Sequence, residues 1–122
     1  MKTLFSIAAV LTALLGVGWL FFPTTMLSGW GVHGDGVAVY MARRYGGLFF
    51  GYCVILWLSR RSPASEARTA ILAGSLVVTS VMAVVSLVGV VTGTVGPMAW
   101  SAVVVEALLA AGFAYFYYMT AR

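Results

Sequence analysis

The chain has 122 residues, 62% of them hydrophobic and only 8% charged, with a net charge of +4 at pH 7. Soluble domains carry roughly 25% charged residues, so a mean hydropathy of +1.04 excludes an ordinary aqueous globular domain. The length suits one domain, the scattered Lys and Arg exclude a nucleic-acid-binding patch, and the lone Cys53 excludes an internal disulfide or a Cys-x-x-Cys redox pair.

Four apolar stretches, about residues 4–22, 37–58, 69–91 and 98–118, fill nearly all of the chain. Each is close to the ~20 residues needed to cross the hydrocarbon of a bilayer. The expected fold is all-α, a four-transmembrane-helix bundle forming a single integral membrane domain over residues 1–122. Met1-Lys2-Thr3 ahead of the first stretch imitates a signal peptide. Its apolar run is longer than the roughly 7–15 residues of a secretory core, and no clear Ala-x-Ala site follows, so it is read as a retained helix.

The first loop, residues 23–36, has no Lys or Arg and carries only His33 and Asp35. Two ligands do not close a zinc site, which takes three or four, so no metal is expected there. Asp35 instead suits the N-cap of the next helix, where its carboxylate accepts orphaned backbone N–H groups. Gly29, Gly31, Gly34 and Gly36 describe a flexible turn.

The second stretch carries Arg43 and Arg44 and then Gly47-x-x-x-Gly51, with Gly46 beside it. Residues 59–68 hold Arg60, Arg61 and Arg68 against Glu66. The third stretch has a partly polar stripe, Ser75, Thr79, Met82 and Ser86, at spacings of three and four. Residues 92–97 have no charge, and the fourth stretch aligns Ala102, Glu106, Ala110 and Ala114 at four-residue steps. Small residues let membrane helices approach closely, so Gly47, Gly51, Ala102 and Ala110 are expected packing positions, within the bundle or against a neighbouring subunit.

With Lys2 and Arg122 near the termini, every Lys and Arg outside the apolar stretches falls on one side. The positive-inside rule makes that side cytoplasmic, with both termini inside a bacterial cytoplasmic membrane. Trp19, Trp30 and Trp100 then fall near the outer interface, and Trp57 and Tyr115-Phe116-Tyr117-Tyr118 near the inner one, as aromatic belts do.

A charge at the bilayer centre costs at least about 2.5–3.5 kcal/mol and is normally paired, snorkelled or used. At ~1.5 Å per residue, Arg43 lies ~9 Å from the outer end of its helix, Glu106 ~12 Å and Ser86 ~8 Å. The expected cluster is an Arg43–Glu106 pair with Ser86 and Tyr40 as hydrogen-bond partners, and Arg44 turned ~100° toward the headgroups. Three readings stand at this point. The pair is a staple that fixes helix register, or it is a polar site for a headgroup or protons. In the third, both arginines snorkel outward and leave Glu106 protonated or paired with another subunit.

Met41-Ala42-Arg43-x-x-Gly46, Leu56-Trp57-Leu58 before a basic run, and Trp100 leading into Gly112-Phe113-Ala114-Tyr115 resemble a broad, largely uncharacterised group of small four-helix bacterial membrane proteins, loosely similar to DoxX-type proteins. The resemblance carries the group's arginine onto Arg43. It implies a redox accessory role as one option, because some DoxX-like proteins are associated with quinone-linked oxidoreductases.

The expected function is a non-catalytic accessory or structural membrane subunit in a homo- or hetero-oligomeric complex. The alternative is a small carrier, or a lipid- or quinone-binding protein, with an Arg43/Glu106 polar site. No catalytic residues and no obligate cofactor are expected, with quinone or lipid as the candidate ligands. The expected partners are membrane lipid, other membrane subunits or a second copy, and no nucleic acid.

Overall fold

A computed structural model describes residues 1–120. Arg122, used above to orient the C-terminus, lies outside the described residues. Among those residues the chain forms five α-helices: α1 Lys2–Phe21, α2 Pro23–Gly29, α3 Gly36–Ser59, α4 Glu66–Val91 and α5 Trp100–Thr120. A single 3-10 turn, Pro97–Ala99, leads into α5. The protein is therefore all-helical, and α1, α3, α4 and α5 correspond to the four apolar stretches.

Local chemistry sets the boundaries. The Asp35 carboxylate accepts a hydrogen bond from the Ala38 N–H at 2.8 Å and starts α3. The Ser65 hydroxyl accepts from the Arg68 N–H at 3.2 Å and starts α4, with Glu66 in the first turn where it complements the helix dipole. Gly31 and Gly93 turn the chain after α2 and α4 with φ of 73° and 74°, a region that disfavours side chains with a Cβ.

Within the first loop Pro23–Gly29 is helical, and the chain then turns over residues 30–35, where the glycine-rich run lies. Pro23 occupies the start of α2, where its fixed φ suits a helix and its missing N–H costs nothing. Met26 then packs over Gly18 and Leu27 over Gly34, so the glycines serve as contact sites for α2.

The long helices associate as two pairs, α1 with α3 and α4 with α5, with thinner contact between α1 and α5. The α1–α3 crossing is close because glycines face each other. A Cβ on Gly46 would meet Gly16 O at 3.0 Å, and one on Gly16 would meet Gly46 O at 3.3 Å. Such close approach is how packing holds helices together where lipid removes the hydrophobic drive between them.

Both described ends of the chain, Met1 and the Phe116–Tyr117 turn of α5, pack on one core with Phe5, Leu56, Leu72 and Phe113, one fully buried side chain from each long helix. At the opposite end the two turns are tied together where the Gly96 N–H donates to Trp30 O at 2.7 Å. Trp19 joins this end by edge contacts to Trp30 and Tyr45, with ring centroids 6.1 and 5.8 Å away.

Three segments, Lys2–Phe21, Glu66–Val91 and Pro97–Thr120, are long and apolar enough to cross a membrane. With 24 residues, α3 has the length, but it carries Arg43 and Arg44. The outer surface of the bundle is apolar, as Leu48, Val77 and Leu108 illustrate at 73%, 60% and 68% exposure. Water would penalise such a surface, whereas hydrocarbon does not. At the end of α3, Arg60 folds back with its guanidinium 3.6 Å from the Trp57 ring centroid and donates to the Trp57 carbonyl.

Candidate functional site

The short connection through residues 92–99 runs α4 and α5 antiparallel and sets positions near their shared turn side by side. Ser86, one and a half turns before the end of α4, donates its hydroxyl to Glu106 Oε2 at 2.9 Å. Ser86 is 5% exposed, whereas Glu106 is half-buried. An ionised carboxylate offers about four acceptor positions, so one serine leaves most of its capacity free.

The expected partner Arg43 is elsewhere. Arg43 and Arg44 are both exposed on α3, and among the described residues Glu106 forms no ion pair with either. The cause is the rotation of α3. Buried Ala42 and Gly46 face α1, and each step along a helix turns ~100°. Arg43, Gly47 and Gly51 therefore share an outward face, and a Cβ at Gly47 or Gly51 would meet nothing within 4 Å. Within this chain Gly47 and Gly51 are thus not packing positions, and Gly16–Gly46 takes that role. Tyr40 is also exposed and lies under Arg44, with the guanidinium 5.9 Å from its ring centroid. Neither residue reaches the Ser86–Glu106 contact.

Glu106 lines a half-open crevice of about 320 Å³ between the two helix pairs. Leu11 and Leu15 come from α1, Phe49 and Tyr52 from α3, and Val105 and Phe113 from α5. The crevice is closed at the end of the bundle holding Met1 and the Phe116–Tyr117 turn, where Leu4 packs over Gly112 and the Phe5 and Phe113 ring centroids lie 6.0 Å apart. Nearer the turns α1 and α5 part, and exposed Leu14, Ser101 and Val105 form its rim. Ala102 lines the same crevice, and Ala110 is half-buried on the same row of α5.

A second, wider crevice of about 560 Å³ lies between α3 and α4 and is lined by Tyr45, Met41, Val85 and Ser86. Met82 borders both crevices, and the Tyr45 hydroxyl donates to its sulfur at 3.6 Å. The Ser86–Glu106 bond therefore joins a residue of one crevice to a residue of the other.

Most polar groups around the first crevice are already satisfied. Thr12 donates to Ala8 O and Thr79 to Ser75 O, each at 2.8 Å, the local back-bonding common for hydroxyls in helices. The Tyr52 hydroxyl is buried and has no hydrogen-bond partner among the described residues, as is the Ser75 hydroxyl. What remains for a ligand is the Glu106 carboxylate and an apolar, partly aromatic wall, since the Tyr52 hydroxyl is enclosed against Ser75. Phe49 and Tyr52 carry no charge or motif to mark them in the sequence; their three-residue spacing only places them on one face of α3.

Asp35 is occupied as a cap, and His33 is exposed in the turn before it.

The chain belongs to the family described as a domain of unknown function, DUF8292, whose model matches residues 1–121. No curated protein and no solved structure matches it.

Proposed function

We propose that this protein is a non-catalytic integral membrane protein that holds a lipophilic small molecule in the crevice between α1 and α5. The observation that carries the reading is the crevice itself, with an apolar wall, an opening between two lipid-facing helices, and Glu106 as its acid. Its volume of about 320 Å³ lies at the lower end of the ~300–1,000 Å³ of small-molecule sites, which are mostly apolar with a few placed polar groups. A carboxylate half-buried in an apolar membrane crevice is costly to maintain for packing alone. Glu106 has a serine partner, but Ser86 is buried and no His, Lys or second acid lines the crevice beside it, which favours holding a ligand over turning one over.

In this account α3 also crosses the bilayer. At ~1.5 Å per residue its length is ~36 Å, and Arg43 and Arg44 extend along the surface to the nearer headgroups, as long cationic side chains do near helix ends. Both termini then lie with Arg60, Arg61 and Arg68 on the cytoplasmic side.

The outward Gly47 and Gly51 favour a second reading, an accessory subunit that docks another membrane helix on α3. Glycine weakens a helix by about 1 kcal/mol relative to alanine, and neither residue supports packing within the chain.

The test is organic extraction and mass analysis of small molecules retained by the purified protein, alongside Leu15→Trp, which fills the crevice. A lipophilic compound present in the wild type and lost in the variant supports the ligand reading. Identical extracts from both proteins would refute it.

A further inference from the structure

The chemistry of the crevice wall limits what can occupy it. Glu106 faces in from α5, and the aromatic side chains Phe49 and Tyr52 of α3 line the same space. Aromatic faces attract cations through the ring quadrupole, and a desolvated site strengthens that attraction. A carboxylate that shares an apolar, partly aromatic cavity is therefore matched to positive charge carried on an apolar body.

The titratable inventory agrees from every side. From α1 the crevice receives Thr12, whose hydroxyl is spent on its own backbone, and no ionisable group. From α3 it receives Tyr52, with Tyr45 beyond Met82. From α4 it receives Thr79 and Met82, and Ser86 reaches Glu106 from behind. Arg43 and Arg44 are exposed on another face of α3. Thus one acid and no base face the cavity, and a monovalent cation neutralises it.

A bare metal ion does not suit this wall. Ca²⁺ needs six to eight oxygen ligands, and Mg²⁺ needs an octahedral set. Here Glu106 supplies the one carboxylate, the Thr12 and Thr79 hydroxyls are bonded to their own backbone, and the remaining wall is mostly hydrocarbon.

We infer that the crevice binds a monovalent lipophilic organic cation, with its charge against Glu106 and its apolar groups against Leu15, Phe49 and the Tyr52 ring. The inference rests on the ligand-site reading above and adds the class of ligand. It also fixes the exchange. When Glu106 carries a proton, entry of one cation releases that proton to solvent, and no covalent bond to the ligand forms or breaks. The cation therefore binds the ionised carboxylate, and binding weakens as pH falls and protonation removes that charge. A neutral ligand has no such dependence.

The experiment is titration calorimetry of the full-length protein in zwitterionic lipid nanodiscs, with empty nanodiscs as the blank. The probes are tetraphenylphosphonium, neutral triphenylphosphine oxide and anionic tetraphenylborate. The inference predicts saturable tetraphenylphosphonium binding at one per chain and no saturable tetraphenylborate binding. On the acid side, cation affinity falls about tenfold per pH unit, as one-for-one proton competition requires. In Glu106→Gln the ratio of cation to neutral affinity collapses to about one. The wild-type pH series is independent of whether that variant folds.

If the neutral probe binds as well as the cation at every pH, the cation inference falls while the crevice remains a ligand site. Saturable binding of none of the probes would overturn the inference and, with identical extracts from wild type and Leu15→Trp, the ligand-site reading too.

Discussion

Gly46 and Gly47 are neighbours on α3, yet the same substitution has opposite consequences at the two. A Cβ at Gly46 would lie 2.7 Å from Leu20 N, 3.0 Å from Gly16 O and 3.1 Å from the Trp19 carbonyl carbon, all backbone atoms of α1. Backbone cannot swing aside as a side chain can, so the helices must separate by several tenths of an ångström along their closest contact. Overpacking of this kind costs about 1–3 kcal/mol, and contact at 2.7 Å belongs at the upper end. The better helix propensity of alanine returns about 1 kcal/mol, so Gly46→Ala should destabilise the fold by about 2 kcal/mol. At Gly47 the added methyl meets nothing within 4 Å, leaving the propensity gain of about 1 kcal/mol. Equilibrium unfolding in mixed micelles, followed by circular dichroism, compares the two variants directly. A gap of about 3 kcal/mol, with Gly47→Ala the more stable, is expected from these terms. Equal effects, or the reverse order, would refute the assigned rotation of α3. A Gly47→Ala variant that stays folded but loses a copurifying membrane protein would instead support the accessory-subunit reading.

Three further outcomes follow from the same geometry. Ser86→Ala removes the donor to Glu106, and interhelical bonds in membranes average only ~0.6 kcal/mol. Its unfolding free energy should therefore change by less than about 1 kcal/mol, while exchange kinetics or infrared bands of the Glu106 carboxyl should shift. Phe113→Ala empties a fully buried position in the shared core and should cost about 3–5 kcal/mol, read by the same micelle unfolding assay. Asp35→Ala deletes the cap of α3 and should cost about 1 kcal/mol; hydrogen exchange at the Ala38 amide, which donates to Asp35, should speed up.

Hydropathy made the long helices legible, because each is dominated by a run of apolar residues that lipid or a core must cover. The boundaries moved where polar residues belong to helices. The third stretch was expected from residue 69, yet α4 begins at Glu66, since Ser65 caps it and Arg68 occupies its first turn, features that an apolar run does not register. The helix α2 was obscured by the glycine-rich run that follows it, although Pro23 at its first position is itself a start signal. Around the site, Ser86 and Glu106 were readable as neighbours from their similar depth on helices joined by a short turn. Arg43 was misplaced for a definite reason. Ala42 and Gly46 form one small-residue row, and Arg43, Gly47 and Gly51 form another only ~100° away. Sequence alone favoured the row with the charge, whereas Gly16 on α1 selects the row that permits backbone contact. The aromatic wall was hidden because Phe49 and Tyr52 are chemically indistinguishable from ordinary packing residues until the crevice they line is seen.

The most direct test of the central claim is native mass spectrometry of the protein released from its own membranes in a mild detergent. The account predicts the chain carrying one small lipophilic molecule at a fixed ratio, with that added mass lost in Leu15→Trp. A chain with no retained small molecule, or one recovered only inside a larger complex and indifferent to Leu15→Trp, would contradict it.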